Sequence, residues 1–207
     1  MPAVALEKLS TLVPHSPAQA GSLSMPHIRS ERLPQGLAGT KRTLDVMGAA
    51  VRGELPPDYS GYRDERNRQT ALNVCGEVKG HDSVGEIKAL FFYCRDRIAY
   101  RQDPIDTERV QDAQRTIQFG SGDCDDKCVL LATLLASIGH FPRFIVQSQN
   151  EREFDHVYVE VWNERSRRWI ALDPTADGNH GMPRADIGWR NPAPVEWYYS
   201  IFDFGNV

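Results

Sequence analysis

The chain lacks an excess of positive charge. Its 24 Lys and Arg residues are outnumbered by 28 Asp and Glu, a formal net charge of -4. That balance gives no electrostatic footing for nucleic acid, which needs a basic patch or stripe. Cysteine is scarce as well. Cys75, Cys94, Cys124 and Cys128 are the only four in 207 residues, too sparse for the disulfide framework of a small secreted domain. All four are therefore expected to be reduced, which fits cytoplasmic synthesis. The six histidines are too few and too scattered for a metal tract. No apolar run is long enough for a bilayer: the longest, Cys128 to Ile138, falls short of a span. The start, Met1 to Lys8, has neither the basic leader nor the unbroken apolar block of a signal peptide. Internal repeats and low-complexity tracts are also missing. What is left is an ordinary globular composition, 41% hydrophobic and 25% charged, long enough to bury one sizeable core.

Three stretches follow one another. Residues 1–40 hold Pro2, Pro14, Pro17, Pro26 and Pro34, which interrupt every possible helix. They are expected to form an extended arm that could dock on an assembly partner. Residues 41–80 are a helical lead-in, and residues 81–207 are the expected core with an aromatic C-terminal tail. Apolar spacing predicts helices over Thr40–Glu54, closed by Pro56-Pro57, and over Arg66–Val78. A third, Ser83–Ile98, carries the stripe Val84, Ile87, Leu90, Phe91, Cys94 and Ile98. Cys75 and Cys94 are expected to pack as small hydrophobes. A fourth helix starts after Gly120-Ser121-Gly122-Asp123, is buried by its leucines, and ends at Gly139 before Pro142. Strands are predicted over Arg143–Gln149, Phe154–Trp162 and Arg168–Leu172. Trp197 to Phe202 is either a last strand or a docking edge.

The run Gly122-Asp123-Cys124 brings a cysteine to the start of a helix. There, unpaired backbone N–H groups and the helix dipole favour a thiolate, so its pKa is expected to fall. Gly120 and Gly122 allow the backbone to approach a substrate closely, and the backbone N–H of Cys124 is a candidate oxyanion donor. Asp123, Asp125 and Asp126 can cap the helix but oppose the thiolate, which then needs a cationic histidine. His156 on the second strand offers a base, and Asp173 at the end of the third offers a carboxylate. With Asn163 to Arg167 as the hairpin loop, Trp162 pairs with Arg168 and His156 falls opposite Pro174. One bulge then levels His156 with Asp173. A carboxylate so placed fixes an imidazole's tautomer and orientation. A zinc set of Cys124, Cys128, His140 and His156 is the competing reading. It is disfavoured because His140 stands at the far end of the helix, so no metal is expected.

Over about Ser83 to Thr175 these residues resemble the transglutaminase-like superfamily of papain-type cysteine enzymes. The match rests on the helix ending Ile98-Ala99-Tyr100, then Gly120-Ser121-Gly122-Asp123-Cys124, the leucine-rich helix, the His156 strand, and Trp169 with Leu172-Asp173-Pro174-Thr175. The resemblance implies an α+β fold in which the cysteine helix packs on an antiparallel sheet carrying the other two residues. It implies Cys124 as nucleophile, His156 as base then acid, Asp173 as orienter, and no organic cofactor. Gln118, an amide just before the loop, is the candidate side-chain oxyanion donor. Gly120, Gly122 and Asp123 form the expected substrate loop. The arm and layout are also similar to transglutaminase-like proteins encoded among tail or head genes of tailed bacteriophages, which implies a virion component. Two functions are therefore expected to compete. One is thiol-dependent acyl transfer on peptide or protein amides, with water giving hydrolysis and a lysine amine giving a crosslink. The other is a structural or adaptor part of a phage particle, in the tail or baseplate, that keeps the fold, with a peptidoglycan-directed activity as a further option.

Overall fold

The computed structural model describes residues 29–31, 37–55, 59–103, 108–149 and 155–202. Most of the expected arm, residues 1–28 and 32–36, lies outside these, as do Pro56-Pro57 and Phe154. Arg29–Glu31 (β1) pairs antiparallel with Glu108–Val110 (β3).

Five helices occur among the described residues. Leu37–Arg52 (α1) buries Leu44, Met47 and Val51, three of the four positions its apolar spacing singles out, while the fourth, Val46, is only half-buried. It stops ahead of the proline pair, at Gly53. Glu65–Val74 (α2) is capped by Asp64, whose carboxylate accepts from Arg66 N–H at 2.9 Å. It ends short of Val78: Cys75 N–H still donates to the Ala71 carbonyl at 3.0 Å, but Gly76 N–H turns back onto the Asn73 carbonyl at 3.3 Å. Ser83–Arg97 (α3) follows its stripe, with Ile87, Leu90, Phe91 and Cys94 buried. Ala113–Phe119 (α4) is an element the periodicity does not announce. Seven residues hold too few apolar positions to show a face, and Asp112 starts the helix by accepting from Arg115 N–H at 2.8 Å.

Cys124–Ser137 (α5) is the central helix. From Asp125 to Leu135 every side chain is buried, which identifies a helix surrounded by other elements rather than one lying on a surface. The other four helices and the sheet surround it, and Leu44, Met47, Val74, Phe91, Leu131 and Val159 belong to one hydrophobic core. The helix closes at Ile138, with Gly139 at φ 96°. None of the helices among the described residues is long and apolar enough to cross a membrane.

The sheet has four antiparallel strands in the order β7-β6-β5-β8: Pro142–Ser148 (β5), His156–Asn163 (β6), Arg168–Leu172 (β7) and Val195–Ser200 (β8). The aromatic C-terminal segment is thus a last strand, paired to β5. Phe144, Val146, Val157, Val159 and Val161 face the helices. The result is the α+β arrangement expected, a cysteine-bearing helix on an antiparallel sheet.

The hairpin register differs by one residue from the sequence expectation. Trp162 pairs with Trp169 and Asn163 with Arg168. Asn163 stays in the strand because its side-chain oxygen accepts from Arg165 and Ser166 N–H at 3.0 and 3.2 Å, closing a four-residue turn. Arg167 takes the left-handed conformation, φ 53°. The ladder ends at Val159–Leu172, so Asp173 reaches His156 from beyond the strand end, not through a bulge.

Candidate active site

The tip of α5 is fixed from several sides. Ala99–Tyr100 (β2) and Ser121–Gly122 (β4) form a short parallel pair that ties the end of α3 to the loop before Cys124. Gly120 caps α4 in the left-handed conformation, φ 63°. Gly122 is buried, and a Cβ there would stand 2.4 Å from Cβ of Asp126. The close approach that this glycine permits in the structure is therefore to α5 itself. Asp123 is the N-cap, its Oδ1 accepting from Asp125 and Asp126 N–H at 3.1 and 3.3 Å. The backbone N–H of Cys124 makes no hydrogen bond to a described residue. It is one of the orphan donors of a helix start.

His156 and Asp173 are in direct contact. His156 Nε2 lies 2.7 Å from Asp173 Oδ2, and the carboxylate is fully buried. Its other oxygen accepts from Thr175 twice, from the backbone N–H at 3.0 Å and from the hydroxyl at 2.6 Å. Cys124 opens the helix that packs against the His156 strand. Cys128, one turn on, donates its S–H to the carbonyl of Val157 at 3.4 Å, and Val157 adjoins His156. All four cysteines are free.

The electrostatics of the thiol differ from the expectation. Burial pushes the Cys124 thiol well above its ordinary range, and Asp125 and Asp123 push it further. Its S–H points at Asp125 Oδ1, 3.5 Å away. Desolvation and two carboxylates thus oppose the thiolate that a helix start alone would favour.

Sequence reasoning missed several contributors. Lys127 is fully buried, and its Nζ donates to the carbonyls of Ile98 at 2.8 Å and Arg95 at 3.4 Å. It thereby binds the last turn of α3 to α5, a cation at a helix C-terminus. A lysine directly before the apolar run from Cys128 to Ile138 is the signal that could have revealed it. Burial, together with the neighbouring Cys124, Asp123 and Asp125, pushes the Tyr100 phenol up to about 12. Gln118 is exposed in the last turn of α4, and its side chain makes no hydrogen bond to a described residue. His140 stands at the other end of α5, 3.0 Å from Glu86, so it does not meet Cys124. Among the described residues no group of three or more His, Cys, Asp or Glu could hold a metal ion.

A profile of the transglutaminase-like superfamily matches residues 72–174, a span that contains Cys124, His156 and Asp173. The chain belongs to the transglutaminase-like superfamily. No curated protein matches it. Solved structures that do include a candidate cysteine protease from Cytophaga hutchinsonii, 16% identical, TM-score 0.44, over 76% of this chain and 51% of that one. Another is a candidate protease from Parabacteroides distasonis, 10% identical, TM-score 0.48, over 76% of this chain and 31% of that one. This chain therefore spans about half the length of the first and about a third of the second.

In this transglutaminase-like chain the base of the cysteine loop carries a pH-dependent contact. Asp126 accepts from the Gln111 backbone N–H at 2.7 Å and from the Gln111 side-chain amide. Burial, assisted by Asp103, pushes its carboxyl up to about 6. The folded state therefore holds this proton more tightly than the unfolded chain does. The stability it contributes is fully present below about pH 4 and is lost as pH rises through 6. Gln111 Oε1 is buried without a hydrogen-bond partner, and an asparagine at 126 could donate to it once the glutamine amide rotates. Asp126→Asn is expected to stabilise the fold at pH 7.5 by on the order of 1–3 kcal/mol, with the gain vanishing near pH 4. Urea unfolding at the two pH values checks this, and an equal effect at both contradicts it.

Proposed function

We propose that this protein is a thiol-dependent acyl-transfer enzyme acting on peptide or glutamine-type amides. Cys124 is the nucleophile, His156 the general base and then acid, and Asp173 the group that orients the imidazole. The observation that carries the reading is the 2.7 Å contact between His156 Nε2 and the buried Asp173 carboxylate. A carboxylate accepting there keeps the hydrogen on Nε2 and leaves Nδ1 as the basic nitrogen.

The steps follow from that tautomer. As sulfur bonds to the carbonyl carbon, the thiol proton passes to Nδ1. The backbone N–H of Cys124 donates to the developing oxyanion. Collapse breaks the C–N bond, and the imidazolium gives its proton to the departing amine, leaving a thioester on Cys124. Water resolves the thioester to an acid, and an amine resolves it to a new amide.

The test is to trap the acyl-enzyme. The protein is treated with a peptide p-nitrophenyl ester at pH 7, quenched in acid, digested, and the adduct located by mass spectrometry. The expected result is acylation at Cys124, discharged by hydroxylamine as a thioester is. Cys75 is the internal control, the other partly exposed thiol, raised to about 11 by burial. Acylation of Cys75 without Cys124, or of neither, would end the proposal.

A further inference from the structure

The segment after Asp173 carries a residue that the steps above do not use. Ala176 to Ala185 form a small flap. Ala185 N–H donates to the Ala176 carbonyl at 2.9 Å, Asp177 bridges to Arg184, and Met182 N–H reaches the Asn179 carbonyl at 2.9 Å. The flap base is attached to α3: Arg184 Nη2 lies 2.9 Å from Asp96, and the Arg95 guanidinium donates to the Ala185 carbonyl. At the tip, Gly178, His180 and Gly181 have φ of 95°, 52° and 79°. Glycine adopts this conformation freely, whereas a histidine does so at a steric cost.

The His180 side chain lies across Tyr100. The two ring centroids are 4.9 Å apart, with planes inclined at 47°. Tyr100 pairs with Gly122, two residues before Cys124, and Arg101 N–H holds the Gly122 carbonyl at 2.9 Å. An exposed imidazole is therefore held over the half-buried phenol that neighbours the nucleophile, at a position where glycine would be less strained.

We propose that His180 is a specificity-determining residue of the acyl site. With Tyr100 it forms a wall of two rings beside Cys124. Donors with a planar side chain next to the scissile carbonyl, aromatic or carboxamide, stack against that wall. This role presupposes the acyl-transfer chemistry proposed above.

His180→Gly and His180→Asn are the useful variants, because both residues tolerate the left-handed backbone and so leave the flap intact. The probes are p-nitrophenyl esters of N-acetylated phenylalanine, glutamine and alanine. In both variants the preference for phenylalanine and glutamine over alanine, as a ratio of kcat/KM, is expected to fall about three- to tenfold, chiefly through KM. Unchanged ratios overturn the assignment, as does a fall confined to kcat. If the unsubstituted protein is acylated at Cys124 by none of the three esters, the acyl-transfer reading falls and the role of His180 with it. If it is acylated and the ratios do not move, only the role of His180 falls.

Discussion

Replacing Asp173 with asparagine is expected to lower kcat/KM about a thousand- to ten-thousand-fold while Tm changes little. An amide has one acceptor oxygen where the carboxylate has two. Thr175 claims that oxygen with two donors, its backbone N–H at 3.0 Å and its hydroxyl at 2.6 Å. The NH2 of the substituted side chain is then turned toward His156. It donates to Nε2 and forces the ring hydrogen onto Nδ1. An imidazole in that tautomer has no lone pair to take the thiol proton. The measurement is kcat/KM for a p-nitrophenyl ester, with a melting curve as the control for folding. Activity within tenfold of the unsubstituted protein would mean that Asp173 does not set the tautomer. Here the Thr175 pair occupies the oxygen and decides which way the amide points.

Much of this arrangement was legible in the sequence. Helix α3 was readable because Ile87, Leu90, Phe91 and Cys94 recur at helical spacing and all four are buried. The start of α5 was readable because Asp123 is a strong cap, and its end because Gly139 can take the left-handed conformation. The pairing of β6 with β7 was readable from alternation, to within one residue. That one residue depended on the Asn163 side chain closing the turn. Such a contact is decided by turn geometry rather than by hydrophobic pattern.

Gln118 illustrates what was not legible. It looked like a loop residue next to Cys124 because α4 is too short to show a period. Once α4 forms, residue 118 belongs to a helix and stands exposed. Tyr100 and His180 are distant in sequence, and only the flap joins them. The upward shift of the Cys124 thiol was hidden for a related reason. A helix start favours a thiolate wherever it is solvated, and only the fold reveals that burial and Asp125 dominate. The Asp residues were visible in sequence, but the degree of desolvation was not.

Truncating Leu131 to alanine is expected to cost about 2–5 kcal/mol of stability, a fall in Tm of roughly 5–15 °C. Leu131 is fully buried, on a helix enclosed from Asp125 to Leu135. Elements pack around α5 from the four other helices and from strands β5 and β6. A helix held on every side cannot slide to fill a hole, so the lost methyl groups leave a cavity that relaxation closes only in part. The same enclosure predicts what does not change. The tip bearing Cys124 is held separately, by the Asp123 cap, by Lys127 on the carbonyls of α3, and by Cys128 on Val157. Ester turnover measured well below the lowered Tm should therefore stay within several-fold of the unsubstituted protein. Thermal melts and kcat/KM at 15 °C separate the two effects. A Leu131→Ala variant that keeps the Tm of the unsubstituted protein would mean that the helix is not packed as described. One that melts at the expected lowered temperature but loses turnover a hundredfold would mean that core packing, and not the contacts at the tip, sets the position of Cys124.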